Sequence, residues 1–174
     1  MSQTYRARFD KDPSALTLDV GGFKDGRYAI SGAWSPEAWA NLCDDLGLPP
    51  AGEGRADLTL DVRSPVVRVT GSVSATFKRN CVRSLENFMD SRTYAIDEIL
   101  SLRPVDEEDP EAALYLDDGQ LDVGDFLRQH VALNLDPYPV KPGGPERGSV
   151  IVDDGLGQTA DTKNPFAALK QLKN

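Results

Sequence analysis

Apolar and polar positions alternate strictly along "LTLDVRSPVVRVTGSVSATFK", residues 58–78. Leu58, Leu60 and Val62 fall on one face, with Thr59, Asp61 and Arg63 on the other. After Ser64-Pro65 the apolar row resumes as Val67, Val69, Gly71, Val73, Ala75 and Phe77, opposite Arg68, Thr70, Ser72, Ser74, Thr76 and Lys78. A period of two with one polar face predicts antiparallel strands with one side in water. Gly71 breaks the apolar row and predicts a bulge, or a bend where another element approaches closely. A third run, "RTYAIDEILSL", pairs with the second. Upstream, "TYRARF", "ALTLDV" and "RYAISG" are shorter candidate strands separated by the turn-like "DKDPS" and "GGFKDG".

The period changes to that of a helix three times. In "SPEAWANLCDDLG", Ser35 suits the N-cap and Pro36 the first helical position, while Glu37 suits the positive end of the dipole. Trp39, Leu42, Cys43 and Leu46 form the apolar face, and Gly47 followed by Pro49-Pro50 ends the helix. Cys43 is thereby a small hydrophobe of the core. In "LDVGDFLRQHVALNL", Asp122 caps a second helix, Val123, Phe126, Leu127 and His130 cluster on one side, and Leu133 continues the stripe. Pro137 and Pro139 stop it. Residues 141–163 are rich in glycine and proline and read as a flexible linker. The closing "NPFAALKQLK" is a short helix capped by Asn164, with Phe166, Leu169 and Leu172 at three-residue steps. A helix of about ten residues is marginal alone, so it docks on its own domain or on a partner. The fold expected is α+β: a long antiparallel β-meander with two main helices, forming one domain over 1–140, then the linker and short C-terminal helix of 141–174.

Charge changes this picture more than composition does. The chain has 174 residues, 40% of them hydrophobic, enough for one cored domain. Its net charge of −9 opposes indiscriminate phosphate binding, so DNA is not an expected partner. The excess is local: ten acids and one base lie between Asp106 and Asp136, whereas seven bases face four acids between Arg63 and Arg103. Such asymmetry points to charged partners. No apolar run approaches a membrane span, and the N-terminus carries no secretory pattern. Cys43 and Cys81 therefore read as free thiols of a reducing compartment, by default the cytoplasm.

The densest chemistry is "KRNCVRSLENF", residues 78–88, where Lys78, Arg79 and Arg83 flank Cys81 before Glu86 and Phe88. It sits beside a strand end of the meander. Zinc needs paired Cys or His ligands, and Ser84 stands where a C-x-x-C partner belongs, so no metal is expected. A reactive thiolate, favoured by Arg79 and Arg83, is a second reading, and an internal Arg83–Glu86 pair a third. His130, the sole histidine, reads as a structural residue of its helix. The acids occur in runs such as "DEEDPE" rather than singly in apolar settings, where raised pKa values arise. "GLGQTA" (155–160) mimics a dinucleotide loop, but only 14 residues follow it, too few for the returning strand and acid. No cofactor is expected.

Three blocks in order carry a resemblance. Val69, Gly71, Val73, Cys81, Arg83, Leu85, Glu86 and Phe88 form the first. Leu121, Asp122, Leu133, Leu135, Pro137 and Pro139 form the second, and Asn164 to Leu169 the third. Together they resemble the YceD family, the large ribosomal RNA subunit accumulation proteins, over roughly residues 58–174. The chain departs from the family at Ser84, where many members have cysteine, and in "VKPGGPERG", where many have further cysteines. Any metal or thiol role of those cysteines is lost here. The resemblance implies a non-enzymatic factor of ribosome biogenesis whose partner is ribosomal RNA or a pre-ribosomal protein. The residues suggested for contact are Lys78, Arg79, Cys81, Arg83 and Glu86, with Phe166 and Leu169 of the terminal helix. The alternatives are a metal-dependent nuclease or hydrolase using acids of 106–125, and an acidic mimic of RNA that occupies a basic protein.

Overall fold

The computed structural model describes residues 4–104 and 114–143, which belong to one compact unit. In chain order the elements are β1 (Ala7–Asp10), β2 (Thr17–Asp19), β3 (Gly26–Ala33), α1 (Pro36–Asp45), β4 (Gly52–Arg63), β5 (Val66–Asn80), β6 (Asn87–Ser101), β7 (Leu114–Tyr115), β8 (Gln120–Asp122) and α2 (Val123–Asn134). Six strands form one sheet in the order β1-β3-β4-β5-β6-β7, and β2 and β8 form a separate antiparallel pair. From β3 to β6 the sheet is an antiparallel meander. Its edges depart from the expectation, because β1 runs parallel to β3 and β7 parallel to β6. The sheet is therefore mixed.

The alternation of residues 58–78 places the core. Leu58, Leu60, Val62, Val67, Val69, Val73, Ala75 and Phe77 are all buried on one face. The opposite face carries Ser74–Thr93 and Thr76–Ser91 hydroxyl pairs and the bidentate Arg68–Asp97 pair, groups that water tolerates. Gly71 makes no bulge: β5 stays in register with β4 through Thr70–Thr59, Gly71–Leu58 and Ser72–Asp57. The close approach comes from the neighbouring strand itself, since a Cβ at Gly71 would lie 2.1 Å from the Asp57 carbonyl oxygen.

The covering layer is fixed by caps. The Ser35 hydroxyl accepts from the Ala38 N–H at 3.3 Å, and Asp12 holds the Ser35 N–H at 2.6 Å. At the other end Gly47, at φ +66°, lets its N–H reach Asp44 O while the Leu48 N–H reaches Cys43 O, a Schellman closure. Trp39, Leu42 and Cys43 are buried, and Trp39 stacks on Phe77 with ring centroids 4.8 Å apart. Burial raises the Cys43 thiol pKa, against a hydrogen bond from the Ala51 backbone. In α2 the Asp122 carboxylate accepts from the Asp125 N–H at 2.9 Å. Its buried stripe is Val123, Leu127 and Val131, whereas Leu133 is 86% exposed, so the expected continuation through Leu133 is corrected. A stripe at four-residue steps turns Leu133 outward. His130 is half-buried beside Phe126 and its Nε2 lies 3.0 Å from Ala95 O, tying α2 to β6. No helix among the described residues is long and apolar enough to cross a membrane.

Candidate functional site

The strands β5 and β6 each run 15 residues and close through Cys81–Glu86, so "KRNCVRSLENF" is the turn end of a long hairpin. The turn is tightly tied. Cys81 N–H donates to Glu86 O and Leu85 N–H to Cys81 O, both at 2.9 Å. The Ser84 N–H lies 3.4 Å from Cys81 Sγ. Leu85 adopts φ +60°, a left-handed conformation uncommon for a branched side chain.

A second segment, the one following α2, clamps this turn from the inner face. The Arg79 guanidinium donates to Asp136 O at 2.5 Å, and the Val82 N–H donates to Pro139 O at 3.0 Å. Lys141 Nζ donates to Glu86 Oε2 at 2.9 Å. That ammonium holds the Glu86 carboxyl below its usual range, and Glu86 raises Lys141 in return. The Asp136 carboxylate accepts from the Tyr138 N–H at 2.8 Å and so shapes the segment it belongs to.

The suggested contact residues separate into two kinds. Arg79 and Cys81 are buried: Arg79 Nη2 donates to Asp136 O while its Nη1 is buried without a hydrogen-bond partner, and Cys81 Sγ accepts from the Ser84 N–H. Arg83 and Glu86 are exposed and Lys78 is half-buried. Glu86 is paired to Lys141 across the clamp rather than left for solvent. Phe166 and Leu169 lie outside the described residues, as do the terminal helix, the linker after Gly143 and the acids of 106–111. Sequence reasoning missed Asp136, Tyr138, Pro139 and Lys141. The Pro137–Pro139 pair marks only the end of a helix and says nothing about where the chain goes next.

Cys81 is the group whose chemistry is most altered. Hydrogen bonds from Ser84, through its side chain and then its backbone, and from the Lys141 backbone lower its pKa to about 6. The causes expected from sequence, Arg79 and Arg83 as charges, are not the leading ones. An unfolded thiol titrates near 8.5, about. Between those values the unfolded chain holds a proton that the folded chain has lost, so stability rises with pH across the window. The contribution is complete above the unfolded pKa and disappears as pH falls through about 6. Cys81→Ser is expected to flatten this rise in urea titrations at successive pH values. Parallel slopes for both proteins would show that no thiolate forms.

Of the described acids of 106–125, Asp122 and Asp125 have structural duties. Asp122 caps α2, and Asp125 accepts from Arg128 and from Gln129, with Arg128 also 3.8 Å from Asp45 of α1. They line a cleft of about 360 Å³ between the helices, with Trp34 and Asn41. Among the described residues, no group of three or more His, Cys, Asp or Glu side chains is placed to hold a metal ion.

The fold and the clamp define an α+β protein whose outstanding local feature is a locked hairpin turn. Residues 69–173 match the family described as large ribosomal RNA subunit accumulation protein YceD, and the chain belongs to that family. The family description connects it with accumulation of large-subunit ribosomal RNA. No curated protein and no solved structure matches the chain.

Proposed function

We propose that this protein is a non-enzymatic, cytoplasmic accessory factor of ribosome biogenesis. It supports accumulation of large-subunit ribosomal RNA by binding that RNA or a ribosome-associated protein. The observation that carries this reading is the clamp: two parts of the family match, residues 78–88 and 133–141, are tied together at one corner. The titratable groups there hold loops in place rather than converge on a reacting atom. Arg79 and Cys81 act from within, setting the turn that carries Lys78 and Arg83. These two cations meet phosphate or an acidic protein surface, arginine being suited to bidentate contacts. Phe166 and Leu169 belong to the same reading as contacts of the terminal segment.

The test is cosedimentation of the full chain with precursor large subunits, read together with large-subunit ribosomal RNA levels in cells. Lys78→Gln with Arg83→Gln is expected to reduce association by roughly tenfold, the effect of losing about 0.7 kcal/mol at each of two contacts. Lys78 lies off the buried row and Arg83 is exposed in the turn, and a thermal melt of the double variant checks that the fold is retained. Undiminished association with normal ribosomal RNA would remove the corner from the account.

A further inference from the structure

An edge strand needs a partner or a guard, and β6 has little of either. It pairs with β5 without a break from Asn87 to Ser101. On its other side, among the described residues, only Leu100 and Ser101 meet a strand, β7. The Cys81 N–H to Glu86 O bond fixes the parity of the hairpin. The main-chain groups of Phe88, Asp90, Arg92 and Tyr94 therefore face β5, while those of Met89, Ser91, Thr93 and Ala95 face the open edge. His130 Nε2 occupies the Ala95 carbonyl at 3.0 Å. Over 87–93 the edge stays open, with Met89, Ser91, Arg92 and Thr93 exposed and neither a proline nor a bulge to interrupt it. A row of free N–H and C=O groups is completed by another strand.

We infer that this edge pairs antiparallel with the same edge of a second copy of the chain, about a two-fold axis at Ser91. Charge selects both the occupant and the register. On either side of Ser91 stand an acid and a base, and beyond them two aromatic residues, so the stretch 88–94 is complementary to its own reverse. With Ser91 opposite the partner's Ser91, Asp90 meets the partner's Arg92 and Arg92 the partner's Asp90. Phe88 meets the partner's Tyr94 at both ends, an aromatic pair that stabilises a ladder. Sliding to either adjoining register sets Asp90 against its own copy or Arg92 against its own copy, and like charges directly opposite are destabilising. A register that brings Arg92 to the partner's Glu98 is centred on Ala95, whose carbonyl His130 already holds. Inward-pointing charges that turn away foreign strands thus admit this one. The pairing is separate from the ribosomal role and does not depend on it.

Sedimentation equilibrium of the full chain up to about 500 µM reads the association, because a short ladder makes a small interface of about micromolar affinity or weaker. A dimer is expected. Ser91→Pro removes an N–H that β5 does not use, and is expected to weaken association about tenfold or more while the melting temperature is kept. Register is read by oxidising cysteine variants with diamide and running them without reductant. Ser91→Cys is expected to cross-link, since residues facing each other in a hydrogen-bonded pair have Cα atoms about 5.5 Å apart, within disulfide reach. Met89→Cys falls opposite the partner's Thr93 and is expected to stay uncross-linked. Cys43 and Cys81 are buried, which keeps the background low. A monomer at every concentration overturns the inference. So does a dimer that cross-links through Met89→Cys in place of Ser91→Cys, or one undiminished by Ser91→Pro. The two cysteine variants carry the test if Ser91→Pro melts early.

Discussion

Phe77→Ala is expected to destabilise the protein by about 3–5 kcal/mol, the range for truncating a fully buried aromatic ring. Phe77 is 1% exposed and is the seat of α1 on the sheet, because Trp39 stacks on it with only 20° between the rings. Trp34 meets Trp39 edge-on at 5.9 Å, so one deletion leaves an aromatic cluster without its floor. The melting temperature is expected to drop by roughly 6–20 °C, taking about 2–4 °C per kcal/mol for a chain of this size. Both tryptophans of the protein lie in this cluster, so their fluorescence reports on the same place as the mutation. Urea denaturation followed by tryptophan emission checks the loss directly. A decrease below about 1 kcal/mol would mean that α1 is not held through this ring.

Gly71→Val is expected to be comparably damaging, through the backbone rather than through a cavity. Gly71 has φ +146°, and any Cβ there would sit 2.1 Å from Asp57 O and 2.8 Å from Leu58 Cα of the adjoining strand. No rotamer relieves that contact, since the offending atoms are main chain. The penalty combines a disallowed conformation with forced separation of β4 from β5, about 3 kcal/mol or more. Gly47→Ala is the control. Its φ is +66° but open space surrounds it, so only the conformational part remains, about 1 kcal/mol. Chemical denaturation of both variants measures the difference, and equal losses would show that strand spacing is not what Gly71 protects.

Much of this architecture was legible because its signals are local. Ser35, Pro36 and Gly47 bracket α1, Asp122 opens α2, and the two-residue period of 58–78 names the buried face. Strand direction has no such mark, which is why the parallel edges β1 and β7 escaped notice. The start of β6 escaped too. Asp90, Arg92 and Glu98 stand in its inward row opposite Phe77, Ala75 and Val69, so charge masks the alternation back to Asn87. The candidate site was half legible. A cation within a basic run reads as surface, and only the descent of Asp136 onto β5 buries Arg79. The pairing of Glu86 with Lys141 across 55 positions is likewise invisible without the fold.

A 15-residue ribbon extends on the order of 45 Å at about 3.3 Å per residue. The Lys78–Arg83 turn occupies one extremity, while Asp117 and Asp118 follow β7 beside Ser101 at the other. Mobile ions extinguish a field over a fraction of that length. The charges at one end of the ribbon are therefore screened from those at the other, and a substitution at either end leaves the field at the opposite end unchanged.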